Sequence, residues 1–199
     1  MVSFGIKEPL FTSDGASLLS NENTVLLKNE LKTVNFKNNP KKNLDHLEDN
    51  FPHQPLWVME FWAGWFDFWG EGRNLFDDAH FGENLQVLLD KKANINFYMF
   101  HGGTNFGFTS GALKIARGYY TADVTSYDYD CPITESGELG GKYHLIRDMI
   151  AKSSGRDPPP LYTSTIQPAW AYRKRWSLFS EQTPDNLLEK ECWIVFSQN

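Results

Sequence analysis

The strongest constraint on this chain's fold is a pair of aromatic-rich apolar runs, PLWVMEF at 55–61 and INFYMF at 95–100, separated by an amphipathic stretch. Runs that are apolar at almost every position suit strands covered on both faces, as in a parallel sheet. In the intervening DDAHFGENLQVLLDKKA, Phe81, Leu85, Leu88 and Leu89 fall on one helical face. Strand, helix, strand at this spacing is a βαβ unit, and a crossover of that length joins parallel strands. Two earlier pieces extend the pattern. EPLFTS at 8–13 runs into the turn signal SDG, and KTVNFK at 32–37 alternates apolar with polar. About four strands therefore precede residue 101, and the fold class is α/β.

A second amphipathic helix is expected from Gly141 to Lys152, with Tyr143, Ile146, Met149 and Ile150 on one face and Lys142, Arg147 and Asp148 elsewhere. It stops at SSGRDPPPLY, whose three prolines make a stiff linker over 153–160. Beyond it, LYTSTIQPAWAYRKRW and ECWIVFSQN read as short strands, the beginning of a separate β domain over 161–199. The net charge of −6 argues against a nucleic-acid partner, and the short Lys37–Lys42 cluster reads as a solvated loop. Cys131 and Cys192 show no CxxC spacing, so no metal or redox centre is implied; one disulfide and two buried thiols both remain open. No segment reaches the ~18 apolar residues a membrane span needs. HGGTNFG has glycines but neither of the nucleotide-loop patterns, and no cofactor is expected.

Reactive side chains in α/β folds lie at the carboxyl ends of strands. Glu60 stands at such an end, interrupting LWVMEFWAGWFDFWGE with a carboxylate among four tryptophans, Trp57, Trp62, Trp65 and Trp69. His101, Thr104 and Asn105 follow the next apolar run in the same way. A carboxylate ringed by aromatic residues suits a sugar site, where ring faces cover pyranose C–H groups and the carboxylate reacts at the anomeric carbon. The residues alone leave a second reading open, in which Glu60 is a buried ion-pair partner and the tryptophans are core. In YDYD at 127–130, Asp128 and Asp130 fit a turn with capped backbone better than a hard-cation site.

Three stretches taken together resemble glycoside hydrolase family 35, the lysosomal-type β-galactosidases: MEFWAGWFDFWGE, NINFYMFHGGTNFGFTSGA and VTSYDYDCPITESGELGGKYHLIRDMI. PLFTSDG also fits, and the match runs from roughly residue 8 to residue 150. The resemblance implies a (β/α)8 barrel followed by β-sandwich domains, with residues 1–152 supplying the C-terminal half of the barrel, about strands 5–8. It implies retaining hydrolysis of terminal β-D-galactosides, with Glu60 as nucleophile. It also implies that Tyr98, Tyr129 and Trp65 contact the substrate, and that Asn105 and Asp128 support them from behind. The family's general acid is a glutamate preceded by asparagine at the end of strand 4. Neither Asn21-Glu22 nor Asn29-Glu30 fits it, because both follow the strand-5-like PLFTSDG. The chain is therefore expected to begin halfway round the barrel and to be inactive alone. Trp62 stands where a tyrosine is common, and Cys131 where alanine is usual; of the two, Trp62 is expected to reshape the pocket. A lysosomal or extracellular location is implied for the full-length protein. The alternative is a non-catalytic member of the same fold that binds a galactoside or a protein.

Overall fold

The computed structural model describes residues 5–19, 30–114 and 120–161. The chain divides into two units, Met1–Pro159 and Pro160–Asn199. The strand-like pieces expected after residue 161, and Cys192, lie outside the described residues.

In the first unit the elements follow as β1 (Leu10–Phe11), β2 (Asp14–Gly15), α1 (Ala16–Leu19), β3 (Glu30–Leu31) and β4 (Val34–Phe36), then α2 (Pro40–Asn50) and β5 (Trp57–Trp62). After these come α3 (Asp78–Asp90), β6 (Asn94–Tyr98), β7 (Ala112–Lys114), β8 (Tyr120–Ala122) and α4 (Gly141–Ser154). The central sheet has the order β2-β4-β5-β6 and is parallel throughout. β1 pairs in parallel with β3, as a prolongation of the β2–β4 pair. Thr12 and Thr33 bridge the gap between the two ladders: the Thr33 N–H donates to Thr12 Oγ1 at 3.0 Å, and the Thr33 hydroxyl to the Thr12 carbonyl at 2.5 Å. Side chains thus replace the missing rungs.

The βαβ unit predicted over 55–100 is present as β5-α3-β6. Val58 and Phe61 of β5 are fully buried, as are Phe81, Leu85 and Leu88 of α3. Phe61 sits at the centre of that core, stacked on Phe81 at 5.1 Å and touching Phe36 and Phe97 at 6.0 Å each. Asp77 caps α3, its carboxylate accepting the His80 N–H at 2.8 Å. The solvated loop expected at Lys37–Lys42 is corrected in part. Lys41 and Lys42 are exposed, but α2 begins at Pro40, which is suited to the first helical turn because its missing N–H has no partner to lose. Leu44 and Leu47 bury the inner face of that helix.

Helix α4 agrees with its expected span to within two residues. Its polar face does not. Lys142, expected to lie away from the core, is only 3% exposed. Its ammonium pairs with the Asp130 carboxylate, donates to the Asp130 carbonyl at 3.0 Å, and approaches Asp78 at 3.7 Å. Helical periodicity cannot foresee this, because the burial is enforced by a carboxylate from a distant turn.

Candidate active site

The strands β2, β4 and β5 end side by side, and their last residues build the site. Glu60 is half-buried near the end of β5, aligned with Asn35 of β4. Among the described residues its hydrogen-bond partners are neutral. Ser13, just ahead of β2, donates its hydroxyl to Glu60 Oε1 at 3.3 Å, and the Trp62 indole N–H donates to Oε2 at 2.9 Å. These partners do not match the ion-pair reading, which needs a cation. Asn35 Nδ2 donates to Ser13 Oγ at 3.1 Å, which extends the polar chain one residue further.

Facing this carboxylate is a wall of aromatic rings. Tyr98, the last residue of β6, lies in register with Trp62. Its hydroxyl is 3.3 Å from that of Tyr127. Tyr129 is buried at 2% exposure, edge-on to Tyr98 at 5.5 Å, 5.3 Å from Tyr127 and 5.9 Å from Trp65. Trp65 in turn meets Trp62 edge-on at 5.3 Å and stacks on Phe66 at 4.9 Å. Burial, then the neighbouring phenols and the Glu60 charge, push the Tyr129 hydroxyl well above the usual tyrosine range. Tyr127 shifts the same way, chiefly by burial and then through Tyr98. Both phenols therefore stay protonated, able to donate to an anion or a sugar oxygen.

Two close backbone approaches bring the tyrosine turn to the strand ends. A Cβ at Gly64 would lie 2.1 Å from the Tyr129 carbonyl oxygen, and one at Gly102 would lie 1.7 Å from that of Tyr127. Tyr129 and Asp130 both adopt left-handed backbone, with φ of 62° and 53°. Asp128 and Asp130 cap backbone in this turn, as the turn reading of YDYD expects. Asp128 Oδ1 accepts the Asp130 N–H at 3.2 Å, and Asp130 Oδ2 accepts the Phe76 N–H at 2.7 Å. Asp128 is also bound by Arg73 at 2.6 Å, and Arg73 reaches Asp67 at 2.7 Å. Asn105 sits in the neighbouring loop, its backbone N–H donating to the Thr125 carbonyl at 2.8 Å.

Of the residues singled out in the sequence, Glu60, Tyr98, Tyr129 and Trp65 come together around one point. Asp128 lies in the turn between Tyr127 and Tyr129, and Asn105 in the neighbouring loop bonded to Thr125. Among the four tryptophans, Trp62 and Trp65 belong to the site, whereas Trp69 is 69% exposed. Sequence reasoning passed over Ser13, Asn35 and Tyr127, and gave Trp62 no contact with Glu60. Ser13 and Asn35 could have been found from register, since parallel strands align their carboxyl ends. A cleft of about 500 Å³ adjoins the site, lined by Ser17, Asn35, Lys37, Asn38, Trp62 and Trp65 among others. Its walls mix amide, hydroxyl, ammonium and aromatic groups. Among the described residues no His, Cys, Asp or Glu cluster has a geometry that could hold a metal ion.

Residues 2–153 match the model of the glycosyl hydrolases family 35. The chain is 40% identical over 158 residues to human beta-galactosidase-1-like protein 2, covering 78% of this chain and 24% of that protein. It is also 40% identical over 179 residues to a beta-galactosidase of Xanthomonas manihotis, covering 87% of this chain and 29% of the relative. Human beta-galactosidase is 39% identical over 123 residues, or 62% of this chain and 17% of that one. The chain thus spans about a quarter of the length of the first two of these relatives.

Proposed function

The chain belongs to glycosyl hydrolases family 35, and from that premise we propose that it carries the nucleophile side of a retaining β-galactosidase site, with Glu60 as the attacking carboxylate. The observation that carries this reading is the placement of Glu60: it stands at the end of a central parallel strand, bound by two neutral donors and faced by Tyr98, Tyr127 and Tyr129. In this reading β1 with β2, β3 with β4, β5 and β6 are strands 5–8 of a (β/α)8 barrel. Residues 153–160 are the linker, and 161–199 open a β-sandwich domain.

The reaction proceeds in two displacements. A Glu60 oxygen attacks the anomeric carbon, and the glycosidic C–O bond breaks with its electron pair passing to the leaving oxygen. That oxygen takes a proton from a carboxylic acid. Water, deprotonated by the same acid's carboxylate, then attacks the anomeric carbon and releases Glu60. Tyr98 and Tyr129 hold the sugar with their hydroxyls, and Trp65 covers its apolar face. Asn105 and Asp128 support the tyrosine turn.

A retaining site sets its two carboxyl groups about 5–5.5 Å apart. No glutamate of this chain matches the family's Asn-Glu acid by order along the barrel. Glu30, which follows Asn29, pairs with Lys32. The 199-residue chain by itself is therefore proposed to be inactive. Lysosomal or extracellular placement of the full-length protein belongs to the same proposal.

The test is covalent trapping with 2,4-dinitrophenyl 2-deoxy-2-fluoro-β-D-galactoside, applied to the longest gene product that contains this chain. Its leaving group departs without protonation, so attack alone is read. Peptide mapping should place one fluorogalactosyl group on Glu60. A label on any other residue, or none, overturns the assignment.

A further inference from the structure

Each oxygen of Glu60 is held by a different donor. Ser13 Oγ lies 3.3 Å from Oε1, and Trp62 Nε1 lies 2.9 Å from Oε2. An ionised carboxylate only accepts and an indole N–H only donates, so the direction of both bonds is fixed. Ser13 spends its single proton on Glu60 and therefore accepts from Asn35 Nδ2, 3.1 Å away. That sets the Asn35 amide: its nitrogen faces Ser13, and its carbonyl oxygen is buried with no hydrogen-bond partner among the described residues. Donation thus runs from Asn35 through Ser13 to one oxygen of Glu60 and from Trp62 to the other, so both arms converge on the carboxylate.

The indole is itself held in place. Its ring meets Trp65 edge-on at 5.3 Å, and Trp65 is held by Phe66 and Tyr129. Residues 60 and 62 are two apart on β5, so their side chains leave the same face of the strand. The β5–β6 register shifts between Val58 and Phe61, an irregularity that re-aims side chains locally. The Trp62 bond is shorter than the Ser13 bond by 0.4 Å, the difference between 3.3 and 2.9 Å. Oε2 is therefore the anchored oxygen, and Oε1 the one with more freedom to react.

We propose that Trp62 is a positioning residue whose indole N–H anchors Oε2 so that Oε1 faces the anomeric carbon. The proposal rests on the reading of Glu60 as nucleophile. On attack the Oε1–carbon bond forms, the carbon–aglycone oxygen bond breaks, and the electron pair leaves on the aglycone oxygen. Oε1 becomes the ester oxygen and Oε2 the ester carbonyl, which still faces the same N–H. One donor thus serves the carboxylate and the glycosyl ester without reorienting, which is what a preorganised site requires.

The experiment uses p-nitrophenyl β-D-galactoside and the dinitrophenyl fluorogalactoside, again on the longest gene product containing this chain. Trp62→Phe keeps a ring and removes the donor; Trp62→Tyr keeps a ring and supplies a hydroxyl. Trp62→Phe should lower kcat and the rate of labelling about tenfold or more, with KM within about twofold. Trp62→Tyr should recover most of that loss. The Trp62 indole N–H resonance should also move between the wild type and Glu60→Gln. Labelling of Glu60 in Trp62→Phe at the wild-type rate overturns the positioning role and leaves the nucleophile reading intact. Equal losses in the Phe and Tyr variants overturn it as well, since ring packing then explains the effect. A wild type that takes no label on Glu60 overturns both.

Discussion

The backbone of Gly64 touches that of Tyr129: a Cβ on the glycine would sit 2.1 Å from the tyrosine's carbonyl oxygen. This contact ties the strand that carries Glu60 to the turn that carries the buried tyrosine. In the segment that follows β6, a Cβ on Gly102 would likewise sit 1.7 Å from the Tyr127 carbonyl oxygen. Carbonyl oxygens at these distances cannot yield as a flexible side chain would, so the turn must move if either glycine gains a methyl group.

Gly102→Ala is accordingly expected to destabilise the protein by about 1–3 kcal/mol or more. It should also displace Tyr127 from Tyr98. Urea denaturation reads the first effect, and near-ultraviolet circular dichroism, which follows the packed tyrosine rings, reads the second. Native stability together with an unchanged aromatic spectrum would show that the turn does not depend on this contact.

Lys142 anchors the same turn from the opposite side. Its side chain is 3% exposed while that of Asp130 is 24% exposed, so removing the ammonium leaves a partly buried carboxylate with the Phe76 N–H as a remaining partner. Lys142→Met keeps an unbranched apolar side chain and deletes the ammonium, with its donors to Asp130 and its place over the Phe76 and Phe81 rings. A loss of about 2–4 kcal/mol is expected. Asp130→Asn combined with Lys142→Met should recover part of it, because no unpaired charge is left. A double-mutant cycle in urea measures both quantities.

How much of this was legible in the sequence depends on the range of the forces involved. The strands at 57–62 and 94–98 and the helix between them follow from local periodicity; Val58, Phe61, Phe81, Leu85 and Leu88 are buried, whereas Ile95 and Phe97 are half-buried. Helix α2 was not legible, because PKKNLDHLEDN has only Leu44 and Leu47 to mark a face and its lysines suggest solvent. Glu60 was marked by its misfit among apolar neighbours. Its partners were not, because Ser13 is 47 residues away and meets it only through parallel register. The burial of Lys142 depends on a turn 12 residues earlier that adopts left-handed backbone, and no periodic pattern encodes that pairing. The aromatic wall lay between: its residues were visible, but only folding decides that Trp65 faces Tyr129 while Trp69 faces water.

Alkaline pH should expose the buried phenols. The native state holds the Tyr129 proton more tightly than the unfolded chain, whose tyrosine pKa is 10.0. Below that value both states are protonated and the contribution to stability is complete. As pH rises above it the unfolded state ionises first, so stability falls. Tyr129→Phe should therefore flatten the decline of urea midpoint above pH 10 while leaving the slope below it unchanged. An absorbance titration should show the Tyr127 and Tyr129 phenolates appearing only as the protein unfolds. Phenolate formation from these two residues in the folded state at pH 10 would contradict the burial that the ring contacts describe.

Glu60 supplies the last prediction, which separates a chemical role from a structural one. Glu60→Gln replaces an acceptor facing two donors with an amide that can accept at one end only. Its nitrogen then opposes either Ser13 or Trp62, so a modest loss of about 0.5–1.5 kcal/mol is expected. Turnover of an aryl β-galactoside by the longest gene product should instead fall about a thousandfold or more. Glu60→Ala goes further, since it opens a space where the carboxylate stood. Azide can enter that space, attack the anomeric carbon from the Glu60 side and expel the aryl group, giving an α-galactosyl azide. Activity restored by azide with that configuration is the expected product of a missing nucleophile. A β-configured azide, or turnover in Glu60→Ala that needs no azide, would assign the attacking group elsewhere.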